Sequence, residues 1–282
     1  MTDAVAALGA RFPRRRIVVT GAASGLGLEL CRRFARAGWT IGMLDVDATA
    51  LDAAAVEVER LGGRVRRAVV DVADADGLRA AVDAFVAEVP GLDVMVNNAG
   101  VAVGGDFLET PVDDWRWIVG INLLGVVHGA RAALPVLLAQ RSGLLLNVAS
   151  AAGFASAAGM SAYNATKAAV VALSETLYGE TLGTGVQVSV AMPYFFRTGL
   201  HRTLRAPDQA RRDAERMFAT TPYTLEQAAT DVLNGAAAGR FYVLAPRWLS
   251  LLWLVKRLNG PFFLRLFRRL RDRQLAPGEA RG

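Results

Sequence analysis

Two hydrophobic rhythms alternate along most of this chain. Short apolar runs, rich in Val, Ile and Leu, stand at 16–21 (RIVVTG), 39–47, 64–72, 92–100, 143–150, 185–192 and 240–245. Continuous apolar runs of this length, bounded by Gly, Asp or Asn, predict strands buried on both faces. Between them lie longer stretches with helical periodicity, at 26–38, 48–63, 74–89, 111–140, 161–182 and 224–239. Gly38 suits the C-terminal cap of the first, and Pro135 is expected to kink the fourth. Seven strands alternating with helices predict an α/β fold, a single doubly wound domain over 1–245 with a seven-stranded parallel sheet. No solenoid-length repeat interrupts the alternation.

Composition narrows the picture. The chain has 282 residues, 53% of them hydrophobic, enough for a sizeable core. Nothing near Met1 has the apolar stretch of a signal peptide, and the single cysteine, Cys31, excludes an intrachain disulfide. Both point to a cytoplasmic location. Cys31 lies in a helical run and reads as a small buried side chain. His128 and His201 stand apart, so no metal site is expected. The formal charge of +6 is concentrated after residue 239, where the net is +8. No nucleic-acid-binding module accompanies it.

The first strand ends in TGAASGLG, with Gly21, Gly25 and Gly27 leading into a helix. Glycines there permit a tight turn, close approach of backbone to a pyrophosphate, and packing of helix on strand. The helix N-terminus adds free N–H groups and a positive dipole end. Asp45 closes the second strand, 18 residues beyond Gly27. A carboxylate there accepts both adenosine ribose hydroxyls and repels a 2′-phosphate, so NAD is favoured over NADP.

Four separated motifs then occur in order: TGAASGLG, NNAG at 97–100, Ser150, and YNATK at 163–167. Together they resemble the short-chain dehydrogenase/reductase family over roughly residues 14–245. The resemblance implies a Rossmann domain, a nicotinamide cofactor, and interconversion of an alcohol and a carbonyl by hydride transfer. It implies catalytic roles for Asn122, Ser150, Tyr163 and Lys167. It implies cofactor contacts from Gly21, Ser24, Gly25, Leu26, Gly27, Asp45, Asp71, Val72, Asn98, Ala99, Gly100, Tyr163, Lys167, Pro193 and Thr198. Relatives are homodimers or homotetramers.

Lys167 is one of only two lysines, the other being Lys256, among 32 basic residues. It lies four residues after Tyr163, on the same helix face. Its ammonium is expected to draw the tyrosine pKa down from about 10 toward the working range. Ser150 would hydrogen-bond the substrate oxygen, Tyr163 would move the hydroxyl proton, and Asn122 would hold a water linking Lys167 to solvent.

The sequence departs from the family in two places. In MPYFFRTGL, Tyr194 stands where relatives have glycine, so the loop is expected to bend differently, with Tyr194, Phe195 and Phe196 lining the site. A lid is expected over about 194–222, and Val101, Phe154 and Met160 would add apolar wall, suiting a hydrophobic alcohol or ketone; the other reading of these aromatics is ordinary core. Arg197, Arg202 and Arg205 are available to an acidic substrate group. The extension over 246–282 is apolar at 248–255 and then basic and amphipathic, with Phe263, Leu266, Phe267 and Leu270 on one stripe. That composition fits peripheral membrane contact through 248–271, at the cytoplasmic face; a dimer contact and a cover over the substrate pocket are the other readings. The alternative function is a cofactor-binding regulatory or membrane-docking protein without turnover.

Overall fold

The computed structural model describes residues 4–196 and 203–275. All seven apolar runs are strands: β1 (Arg16–Thr20), β2 (Thr40–Asp45), β3 (Arg64–Val69), β4 (Val94–Asn97), β5 (Gly143–Val148), β6 (Val186–Pro193) and β7 (Tyr242–Ala245). They form one parallel sheet in the order β3-β2-β1-β4-β5-β6-β7. The chain starts in mid-sheet at β1, winds out to β3, and crosses back to β4. The carboxyl ends of β1 and β4 therefore border the switch-point crevice where doubly wound sheets bind ligands.

The helices, in chain order, are α1 (Ala4–Arg11), α2 (Gly25–Arg36), α3 (Ala48–Arg60), α4 (Ala75–Glu88), α5 (Val112–Val119) and α6 (Gly125–Gln140). They continue with α7 (Ala152–Ala155), α8 (Ser161–Thr181), α9 (Asp208–Thr220), α10 (Leu225–Ala237), α11 (Leu249–Leu258) and α12 (Gly260–Leu275). Strand alternation divides the core in two. Ile17 and Val19 join Leu30, Phe34 and Val232 on the α2–α3–α10 face, whereas Val18 meets Leu78, Val82 and Ala133 beneath α4 and α6. Caps set the helix starts: Asp47 accepts from Ala50 N, Asp74 from Asp76 N and Gly77 N, and Thr224 with Gln227 forms a capping box.

At the amino edge of the sheet, Arg16 and Asp93 form a buried, two-pronged pair. Arg16 Nε donates to Asp93 Oδ2 at 3.1 Å and Nη2 to Oδ1 at 2.8 Å, while the Arg16 backbone N–H adds a third bond at 2.9 Å. This ties the starts of β1 and β4 together.

Three expectations change. The N-terminal arm contains a helix, α1, whose Val5 and Leu8 are buried, along with Phe12 just beyond it. The 111–140 run is not one regular helix: a single π turn at Gly120–Leu124 interrupts it, and the chain then stays helical through Pro135. By length and composition Val112–Gln140 is apolar enough to cross a membrane, but α6 packs on α4, β4 and β5. The segment expected as a lid contains a helix, α9.

Candidate active site

The glycine loop is built so that side chains have no room. Gly21 and Gly25 hold positive φ of 64° and 53°, which favours glycine. A Cβ on Gly27 would stand 2.1 Å from the Gly21 carbonyl oxygen. Thr20 locks this turn to β4: its Oγ1 accepts from Asn98 N and Ala99 N, each at 3.0 Å. Asn98 Nδ2 donates back to the Thr20 and Gly21 carbonyls at 2.9 and 3.2 Å. Ser24 is the N-cap of α2, yet its hydroxyl makes no capping bond and it is exposed, as if left for a ligand. Leu26 is buried beneath the turn.

Asp45 borders the same loop. Its Oδ2 accepts from Ala23 N at 2.9 Å and its Oδ1 from Asp47 N at 3.1 Å. Asp71 is exposed after β3 and Val72 is buried beside it, the Val72 carbonyl meeting His128 Nδ1 at 2.9 Å. A bare glycine cradle, a helix N-terminus and a rim carboxylate together fit a dinucleotide.

The second cluster gathers at the ends of β4 and β5. Asn122 sits in the π turn, fully buried, and π turns often mark functional positions. Its Oδ1 accepts from Val101 N at 2.8 Å, its Nδ2 donates to Val101 O at 2.9 Å, and Nδ2 reaches Thr166 Oγ1 on α8 at 3.4 Å. Gly100 fits between: a Cβ there would lie 3.2 Å from Asn122 Oδ1 and 3.4 Å from Lys167 Nζ. Lys167 and Tyr163 both point inward from α8, 3% and 8% exposed. Lys167 Nζ donates to Val148 O at 2.9 Å and stands 5.8 Å from the Tyr163 ring centre. Ser150 Oγ accepts from Ala152 N at 3.1 Å, and its own O–H is directed to Tyr163.

Burial governs the titration here. It lowers Lys167 to about 8, because a charged ammonium loses hydration. Burial also raises Tyr163, and the hydrogen-bonding Ser150 hydroxyl pulls the other way without reversing it. The expected downward pull of Lys167 on Tyr163 is thus not the governing effect; loss of water around both groups is.

The loop after β6 differs from expectation. Tyr194 is not in the left-handed region; its N–H donates to Ala245 O at 2.7 Å, and its ring meets Trp248 edge-on at 5.4 Å. Phe196 is buried in the core against Tyr223 instead of lining the site. Phe154 likewise packs with Leu249 and Phe263 of the extension, whereas Val101 and Met160 do gather at Tyr163 with Ala102, Ile118 and Leu204. Arg205 ties its loop to α5: it pairs with Asp114 at 2.9 Å and stacks 3.7 Å over Trp117. Pro193 ends β6, its carbonyl accepting from Ala151 N. Arg197, Thr198 and Arg202 lie outside the described residues.

Residues 15–209 match the family model for short chain dehydrogenase. The chain belongs to that family. The dehydrogenase is 37% identical over 234 residues to 1-deoxy-11-beta-hydroxypentalenate dehydrogenase of Streptomyces exfoliatus, 82% of each chain being covered. It is 34% identical over 190 residues to meso-2,3-butanediol dehydrogenase of Serratia marcescens, covering 67% of this chain and 74% of that one. A solved short-chain dehydrogenase/reductase from Burkholderia phymatum in complex with NAD superposes with a TM-score of 0.82 at 30% identity, over 88% of this chain and 94% of that one. The dehydrogenase is thus a nicotinamide-dependent oxidoreductase acting on CH–OH groups. Sequence reasoning placed Thr20 in the glycine loop without giving it a role, although its place between strand and turn signalled one.

Proposed function

We propose that the dehydrogenase uses NAD to interconvert a hydrophobic alcohol and its carbonyl compound, with Tyr163 as general acid and base. The observation that carries this reading is the convergence of half-buried Ser150 with buried Tyr163 and Lys167 next to the glycine cradle. Ser150 turns its O–H to the substrate oxygen, where charge develops. Tyr163 takes the hydroxyl proton on oxidation and returns it on reduction. Lys167 stabilises the phenolate once formed, and Asn122 holds the Val101 loop and the water that links Lys167 to solvent.

Gly21, Ser24, Gly25, Leu26 and Gly27 would hold the pyrophosphate, Asp45 the adenosine ribose, and Asp71 with Val72 the adenine. Asn98, Ala99 and Gly100 would floor the cofactor, with Pro193 and Thr198 at the nicotinamide. NAD when bound supplies the hydride acceptor. Asp45 supports NAD over NADP, since a 2′-phosphate would meet its charge. Val101, Ala102, Ile118, Met160 and Leu204 around Tyr163 favour an apolar substrate.

Tyr163→Phe is the test. Turnover should fall by about a hundredfold to ten-thousandfold with NADH affinity unchanged, and retained turnover would sink the assignment. Tighter binding of NADPH than of NADH would overturn the NAD reading.

Two assembly statements belong to the same reading. Exposed apolar residues on α6 and at its start, Leu124 and Leu138, support a homodimer or homotetramer, to be checked by light scattering; a monomer refutes it. Trp248, Leu251, Leu254, Leu258 and Phe262 are exposed beside Arg247, Arg257 and Arg265, which supports peripheral contact with an anionic membrane. Failure to pellet with phosphatidylglycerol vesicles removes that part.

A further inference from the structure

The chain's two lysines serve two sides of one residue. Lys167 Nζ donates to Val148 O, two residues before Ser150. Lys256 Nζ, from α11, donates to Phe154 O, four residues after it. Between these carbonyls lies α7, a helix of one turn. Its N-terminal side is held by Ser150 itself, whose Oγ accepts from Ala152 N. Its C-terminal side exposes carbonyls that so short a helix cannot satisfy internally, and Phe154 O is one of them. An ammonium there supplies a charge-assisted bond to one such carbonyl.

The helix has little freedom elsewhere. Ala151 N donates to Pro193 O at 2.9 Å, and a Cβ on Gly153 would stand 2.9 Å from Lys167 O, so α7 lies directly on the backbone of the lysine helix. The extension reinforces the contact. Leu249 of α11 and Phe263 of α12 are buried with Phe154, Val170 and Met192. Trp253 packs on Tyr242 at 4.5 Å, and Trp248 on Tyr194 at 5.4 Å.

We propose that Lys256 is a positioning residue: through Phe154 O it holds α7, and through α7 it fixes the Ser150 hydroxyl, making the C-terminal extension a working part of the active site. This rests on the role given to Ser150 above. The ammonium acts at a distance from the reacting atoms, so its effect should appear in turnover and not in cofactor affinity.

Hydrogen exchange of full-length protein tests the placement without any substrate. Lys256→Met keeps the apolar stem and should raise exchange over 150–158 by about tenfold or more, with the urea midpoint nearly unchanged, while Lys256→Arg keeps most of the protection. Unchanged exchange in Lys256→Met overturns the proposal. Kinetics test the consequence, using the fastest of a panel of secondary alcohols from 2-butanol to 2-dodecanol with NAD. Lys256→Met should lower kcat by about tenfold, and in a Ser150→Ala background the same change should cost less than about twofold. Losses that multiply independently would overturn it. Tyr163→Phe run alongside separates the two ideas: turnover retained there refutes the reading of the site. A dead Tyr163→Phe with a fully active Lys256→Met refutes only the positioning role. Should no alcohol in the panel react, the exchange result alone decides.

Discussion

The two edges of the sheet spend their polar groups differently. At the amino edge, Arg16 and Asp93 are buried and joined by three bonds, one from the backbone, and Arg16 Nη1 donates to Pro90 O. At the carboxyl edge, the Ser150 hydroxyl meets Tyr163, Ser24 makes no capping bond, and Tyr163 and Lys167 are buried with their charged forms disfavoured. Closed pairs hold a fold together; open ones are available for chemistry, at a cost in stability. The glycine loop shows the same economy, since it replaces side chains with backbone a ligand can reach.

Crossed substitutions test that contrast most sharply. Tyr163→Phe should remove up to about ten-thousandfold in kcat while Tm moves by about 2–4 °C or less. Asp93→Ala should do the reverse, destabilising by roughly 3–5 kcal/mol because it strands a buried guanidinium, with kcat of the folded fraction unchanged. If both variants lost stability and turnover in parallel, the division between edges would not hold.

Lys167 offers a pH test of the next size. Its folded-state pKa of about 8 lies below the ordinary 10.5, so the unfolded chain binds more protons between those values. Stability from this group therefore rises with pH across that window, and below it the full burial penalty, on the order of 3 kcal/mol, is present. Urea unfolding at about pH 7.5 and pH 10 should show that rise in the wild type and not in Lys167→Met. Equal slopes would mean that Lys167 is hydrated.

The smallest effect belongs to Thr20. Thr20→Val leaves the Asn98 and Ala99 N–H groups without their acceptor and should cost about 1–3 kcal/mol by thermal unfolding, with weakened NADH binding. Weakened binding without a change in stability would shift Thr20 from scaffold to ligand contact.

Much of the site was legible because its motifs are local. The glycine turn, the Tyr163–Lys167 spacing and Asp45 at a strand end each follow from one element and its boundary. The π turn was not legible: nothing in GINLLG distinguishes it from an α-helix until Asn122 turns inward to pair with Val101. The fates of Phe196 and Phe154 stayed open for a related reason, since an aromatic side chain suits a pocket wall and a core equally well, and packing put both in the core.

By itself the sequence determined the seven strands, their helical crossovers, the family and the residues that gather at the candidate site, because period, caps and glycine sterics act over a few neighbouring residues. Only the tertiary structure decided which cations were spoken for, with Arg205 on Asp114 and Trp117, and Lys256 on Phe154 O. It also decided that burial, more than the neighbouring charge, sets the titration of Tyr163. Those outcomes depend on which groups lose their water together, and that is a property of packing between segments far apart in the chain.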